Sequence, residues 1–92
     1  MKNKKEIAKS LLSELVYTRF KKSDLTSLII KKLIDLNISK VGWAEVKQSE
    51  LLEDEDYKIE VALFDDNEGF YFTLYYLKTR YKQIFVTKIL FY

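Results

Sequence analysis

Two strand-length runs, Tyr57–Asp65 (YKIEVALFD) and Phe70–Lys78 (FYFTLYYLK), alternate their side chains with a period of two and flank Asp66-Asn67-Glu68-Gly69. That spacing predicts a β-hairpin with Gly69 available where the turn needs it. Pairing Asp65 with Phe70 puts Leu63 opposite Phe72, Val61 opposite Leu74 and Ile59 opposite Tyr76 on one face. Phe64/Tyr71, Ala62/Thr73 and Glu60/Tyr75 then share the other. A second hairpin turning at Thr79-Arg80 sets Leu74 against Phe85, Phe72 against Thr87 and Phe70 against Ile89, on the same side as Ile59, Val61 and Leu63. Two turns thus agree on one core face, and a slip of one residue would destroy the sorting.

In this register the opposite face carries Phe64, Tyr71, Tyr75, Leu77, Ile84, Val86 and Leu90, diluted by Lys58, Glu60, Lys82 and Lys88. One apolar face is enough to build a core, so a second one needs a covering layer or a partner. High β-propensity of Tyr, Phe, Ile and Val, with burial inside the domain, is the ordinary alternative.

Helical periodicity rules the first third. Ile7, Leu11, Leu12, Leu15 and Val16 recur on one side of Lys4–Arg19, predicting an amphipathic helix. A break near Phe20-Lys21-Lys22 leads to Ser23-Asp24, either of which can cap a second helix over Asp24–Leu36. Leu25, Leu28, Ile29, Leu33 and Leu36 form its main stripe, and Ile30 and Ile34 opposite them predict burial on more than one side. Asn37 suits a left-handed terminator. A short strand over about Val41–Lys47, with Trp43, and an acidic loop over Gln48–Asp56 complete the plan.

The 92 residues match one domain, 1–92, with a single modest core. There is no Cys and no His, which excludes disulfides, thiolate or imidazole metal sites and Ser-His or Cys-His catalysis. Lys-rich Met1–Lys9 runs into an amphipathic helix, not into an apolar signal core, so the expected location is cytoplasmic. With no Pro and only Gly42 and Gly69, neither a disordered tail nor a glycine-rich phosphate loop is expected.

Charge is segregated although the net charge is only +2. Residues 1–44 hold ten basic and four acidic groups, residues 45–68 ten acidic and two basic, and residues 69–92 four basic groups alone. The acidic loop and the Lys78–Lys82 turn are expected at the same end of the sheet, where they can neutralise each other or present an acidic rim to a basic partner.

Tyr71, Tyr75, Lys82 and Lys88 together could stack and neutralise unpaired bases. The low net charge, two arginines, Glu60 on that face and the lack of an RNP-like motif count against this. The helix pair has no Gly in its linker and an apolar second helix, unlike a helix-turn-helix. Glu45-Val46-Lys47 has the Glu-x-Lys form of Mg²⁺-dependent nucleases, but the one upstream acid near it, Asp35, falls in a helix. Charges along an edge strand that discourage sheet-to-sheet pairing are the plainer explanation.

The expected architecture is therefore an α+β two-layer sandwich, two N-terminal helices packed on a four-stranded antiparallel sheet in the order α-α-β-β-β-β, with the helices on the Ile59/Phe72/Phe85 face. The expected function is non-enzymatic: a small inhibitor, immunity or adaptor protein binding another protein or itself as a homodimer. Its expected contacts are Phe64, Tyr71, Tyr75, Ile84 and Val86, rimmed by Glu53, Asp54, Glu55 and Asp56. No cofactor, metal or small-molecule substrate and no membrane is expected. The alternatives are a single-stranded nucleic-acid-binding module and, further off, the nuclease.

Overall fold

The Asn3 side chain accepts from the Glu6 backbone N–H at 2.8 Å and so caps helix α1, Lys4–Leu12. The computed structural model describes residues 3–36, 38, 40–47, 56–64 and 69–92. α1 ends earlier than its periodicity predicts. Ser13 turns its hydroxyl back on the Lys9 carbonyl at 2.7 Å, and a 3₁₀ turn over Ser13–Leu15 tightens the chain. Tyr17 then takes a left-handed φ of 65°, reversing the direction of travel. Its N–H donates to the Val86 carbonyl at 2.7 Å, and the Thr18 carbonyl accepts from the Val86 N–H at 3.0 Å. The expected break is thus a strand, β1, Arg19–Lys21.

Helix α2 spans Leu25–Lys32 and is followed by a 3₁₀ turn over Ile34–Leu36. Leu25, Ile29, Leu33 and Leu36 are buried, as the main stripe predicts. Ile30 and Ile34 are 48% and 72% exposed, so the expected second buried side of this helix is absent. Asn37 lies outside the described residues.

Four longer strands follow: β2 Lys40–Lys47, β3 Asp56–Phe64, β4 Gly69–Lys78 and β5 Gln83–Phe91. With β1 they form one antiparallel sheet of five strands in the order β1-β5-β4-β3-β2. The class is α+β as expected, but the element order is α-β-α-β-β-β-β and the sheet has one strand more. The helices supply Ala8, Leu12, Leu15, Leu25, Ile29 and Leu33 to the core, and the sheet supplies Ile59, Val61, Leu63, Phe70, Phe72, Leu74 and Tyr76. Trp43 ties β2 to α2 through its indole N–H, 2.8 Å from Thr26 Oγ1.

Both hairpins depart from the predicted register, with different consequences. In the first, Phe64 faces Gly69 and Leu63 faces Phe70, two residues from the expected pairing. An even shift keeps every side chain on its expected face. In the second, Tyr76 pairs with Val86 but Tyr75 pairs with Lys88, leaving Thr87 as an extra residue in a β-bulge. Its hydroxyl donates to the Tyr75 carbonyl at 3.3 Å. The bulge swaps the parity of β5, so Ile84 and Val86 before it face the core together with Ile89 and Phe91 after it. Ile84 and Val86 are 2% and 0% exposed, which removes them from the expected contact surface. Phe85, expected in the core, faces outward instead.

Candidate functional site

The site is the outer face of the sheet. No described residue outside the sheet strands and their flanks covers it, because both helices pack on the other side. The register resolves this face into rows of side chains running across the strands. Lys40, Phe64 and Gly69 form the first, and Gly42, Ala62 and Tyr71 the second, which Tyr92 extends through its N–H bond to the Tyr71 carbonyl at 3.1 Å. The third is Ala44, Glu60, Thr73 and Leu90; the fourth holds the register positions of Val46, Lys58, Tyr75 and Lys88; the fifth joins those of Asp56, Leu77, Phe85 and Arg19. Lys21 and Gln83 close the series.

Aromatic rings and cations interleave along it. Phe64 lies against Gly69, where an added Cβ would stand 2.9 Å from the ring, and meets Tyr71 edge-on with centroids 6.2 Å apart. Lys88 Nζ sits 5.7 Å from the Tyr75 ring, and the Arg19 guanidinium 5.5 Å from that of Phe85, distances at which the ring faces attract positive charge. Tyr17 lies beside Phe85 with the ring planes tilted by 30° and 6.2 Å between centroids, and is largely exposed. Half-buried Lys58 and exposed Glu60 form an ion pair at 3.5 Å.

Between the rings the surface dips. Gly42, Ala44, Ala62 and Thr73 floor an open depression of about 500 Å³ bounded by Glu60, Tyr71 and Tyr92. Thr73 is buried beneath the C-terminal residue, its hydroxyl 3.0 Å from the Tyr92 hydroxyl. Beyond Lys21, at the β4–β5 turn, Lys22, Lys78, Thr79, Lys82 and Gln83 line a second recess of about 310 Å³. Lys78 there lies 4.2 Å from the Tyr57 ring, and Lys82 holds a left-handed φ of 57°.

Of the contact residues expected from sequence, Phe64, Tyr71 and Tyr75 come together on this face, with Tyr71 half exposed. Ile84 and Val86 do not, being core. Glu53, Asp54 and Glu55 lie outside the described residues; Asp56 opens β3 opposite Leu77. Lys82 belongs to the turn, not to the face. Sequence reasoning missed Arg19, Lys21, Lys40, Phe85 and Tyr92. The charged-apolar-charged alternation of Arg19-Phe20-Lys21 was a signal for a strand, but three residues are too few to separate it from a helix end.

Glu45 and Lys47 of the Glu-x-Lys spacing lie in β2 opposite Ile59 and Tyr57, while Asp35 is exposed in the 3₁₀ turn after α2. Among the described residues no group of three or more acidic side chains is placed to hold a metal ion, and no helix is long and apolar enough to cross a membrane. No family model, curated protein or solved structure matches this chain.

Proposed function

We propose that the protein is a non-catalytic binding module that lays a single-stranded nucleic acid across the open face of its sheet. The observation that carries this reading is the charge of that face: Arg19, Lys21, Lys40, Lys58 and Lys88 stand among Phe64, Tyr71, Tyr75 and Phe85, against Glu60 and, by register, Asp56. Aromatic faces stack unpaired bases of any sequence, and cations beside them neutralise the backbone. Tyr71 and Tyr75, four residues apart on β4, are separated by about 13 Å at roughly 3.3 Å per residue. That matches about two steps of an extended strand.

The docking of a protein on the same face rests on fewer residues than its sequence suggested, since Ile84 and Val86 support the core. Lysine is also depleted at the centres of protein interfaces, whereas it dominates the charge here. An acidic protein surface is the remaining form of that reading, and it separates cleanly in the test.

Fluorescence anisotropy with labelled 12-nucleotide single strands should show binding that weakens with salt. If about four phosphates are neutralised, a slope of about −0.7 per phosphate gives a loss of about 50-fold in affinity between 50 and 200 mM salt. Tyr71→Ala and Tyr75→Ala should each cost about 1–3 kcal/mol of binding. Poly-L-glutamate binding as tightly as the oligonucleotides, with both tyrosine variants indifferent, would transfer the face to an acidic protein partner. No binding of any strand at 50 mM salt would refute the proposal.

A further inference from the structure

The depression beside Tyr71 has a chemistry different from the rest of the face. We infer that it is a base-selective subsite, and that Glu60 makes it prefer bases with an exocyclic amine (cytosine, adenine, guanine) over uracil and thymine. This rests on the reading of the open face as a single-strand surface. The floor is made of Gly42, Ala44, Ala62 and Thr73, none taller than a methyl or hydroxyl group, so a planar base can approach the backbone there as it cannot over Tyr75 or Phe85. Tyr71 and Tyr92 supply walls for its ring, and the Tyr92 hydroxyl is held by Thr73 at 3.0 Å.

The charged group among the lining residues, and so the one that discriminates donors from acceptors on a base edge, is the Glu60 carboxylate. It lies in the row between Ala44 and Thr73, and its side chain is 59% exposed. An ionised carboxylate only accepts hydrogen bonds. Cytosine N4, adenine N6 and the guanine N1 and N2 edge all offer donors to it, and carboxylate pairing with the cytosine amine is an established mode of readout. Uracil and thymine offer a single N–H flanked by two carbonyl oxygens, so a carboxylate that accepts from it is set against an acceptor on either side. The ion pair with Lys58 at 3.5 Å joins a half-buried lysine to the exposed end of Glu60, and it leaves carboxylate acceptor positions for a base. An acid set among these cations also lowers the affinity of the face for any polyanion, an expense that a selective contact would offset.

The experiment is anisotropy at 50 mM salt with labelled rC12, rA12 and rU12 on the wild type and on Glu60→Gln. A Gln amide keeps the shape but can both donate and accept. The wild type should bind rC12 and rA12 about tenfold more tightly than rU12, and Glu60→Gln should shrink that ratio to within about twofold, chiefly by tightening rU12. Equal binding of the three strands by the wild type, or a ratio unchanged in Glu60→Gln, would overturn the selectivity while leaving the open-face reading intact. Absence of binding by all three would instead remove that reading and the subsite with it. Tyr71→Ala, whose circular dichroism reports whether the fold persists, should weaken rC12 more than rU12; the reverse order would place the selective contact elsewhere.

Discussion

Replacing Val86 and Phe85 one at a time decides the placement of β5 on which the whole site depends. Val86 is fully buried opposite Tyr76, and its backbone bonds to Tyr17 and Thr18 on the other side. Val86→Ala deletes two methyl groups, worth about 1.6 kcal/mol at roughly 0.8 kcal/mol each. A cavity term near 24 cal/mol per Å³ over the vacated volume brings the total to about 2–3 kcal/mol. Phe85 is only partly buried on the outer face, against Tyr17 and Arg19, so Phe85→Ala should cost about 1 kcal/mol through lost ring contacts. The unbulged register reverses the order: Phe85→Ala would then cost about 3–5 kcal/mol and Val86→Ala about 0.5 kcal/mol or less. Urea unfolding followed by circular dichroism reads the difference directly. With a slope of about 1–1.5 kcal/mol/M, the Val86→Ala midpoint should fall by about 2 M and that of Phe85→Ala by less than about 1 M. A larger loss in Phe85→Ala would refute the bulge at Thr87 and return Ile84 and Val86 to the outer surface.

Other local features give sharper single tests. Trp43→Phe removes the hydrogen bond to Thr26 and should lower stability by about 0.5–1.5 kcal/mol in the same assay. Lys82→Gly should raise thermal stability by about 0.5–1 kcal/mol, because relief of the left-handed φ outweighs the added freedom of the unfolded glycine. Gly69→Ala forces the Phe64 ring aside and should cost about 1–3 kcal/mol, while an unchanged melting curve would show that the ring moves freely. Asn3→Ala should cost about 1 kcal/mol through loss of the cap on α1.

The first hairpin was legible because its face sorting depends only on parity: Ile59, Val61 and Leu63 point inward in the predicted register and in the observed one, two residues apart. The second was not, because a single extra residue at Thr87 inverts every side chain on one side of it, and QIFVTKILF offers an apolar residue to either face at almost every step. β1 was hidden for a different reason. Its pairing is bought by tertiary contacts, the Tyr17 and Thr18 bonds to Val86, which no window of local sequence contains. The consequence for function is direct. A reading that leaves Arg19 at the end of the first helix, Lys21 in the break after it and Lys40 before the first strand counts Lys58, Lys82 and Lys88 against Glu60 and finds a mostly apolar surface; the sheet places Arg19, Lys21 and Lys40 on the open face and moves Lys82 to the turn.

That redistribution of charge bears on self-association, which the apolar strands alone would favour. A two-fold dimer through the open faces sets each patch against its own copy. With facing sheets about 10 Å apart, each opposed pair of cations costs about 0.4 kcal/mol in water, so the five together cost about 2 kcal/mol at low salt. The screening length shrinks from about 10 Å at 0.1 M to roughly 4 Å at 0.5 M salt, which removes most of that repulsion. Self-pairing on this face should therefore strengthen as salt rises, while the retention of a single strand weakens. Sedimentation velocity at 50 and 500 mM salt, run beside the anisotropy titration, measures both signs. A dimer that is tight at 50 mM and loosens at 500 mM would mean that opposite charges meet across its interface, and the five cations of the open face could not then be the surface that pairs.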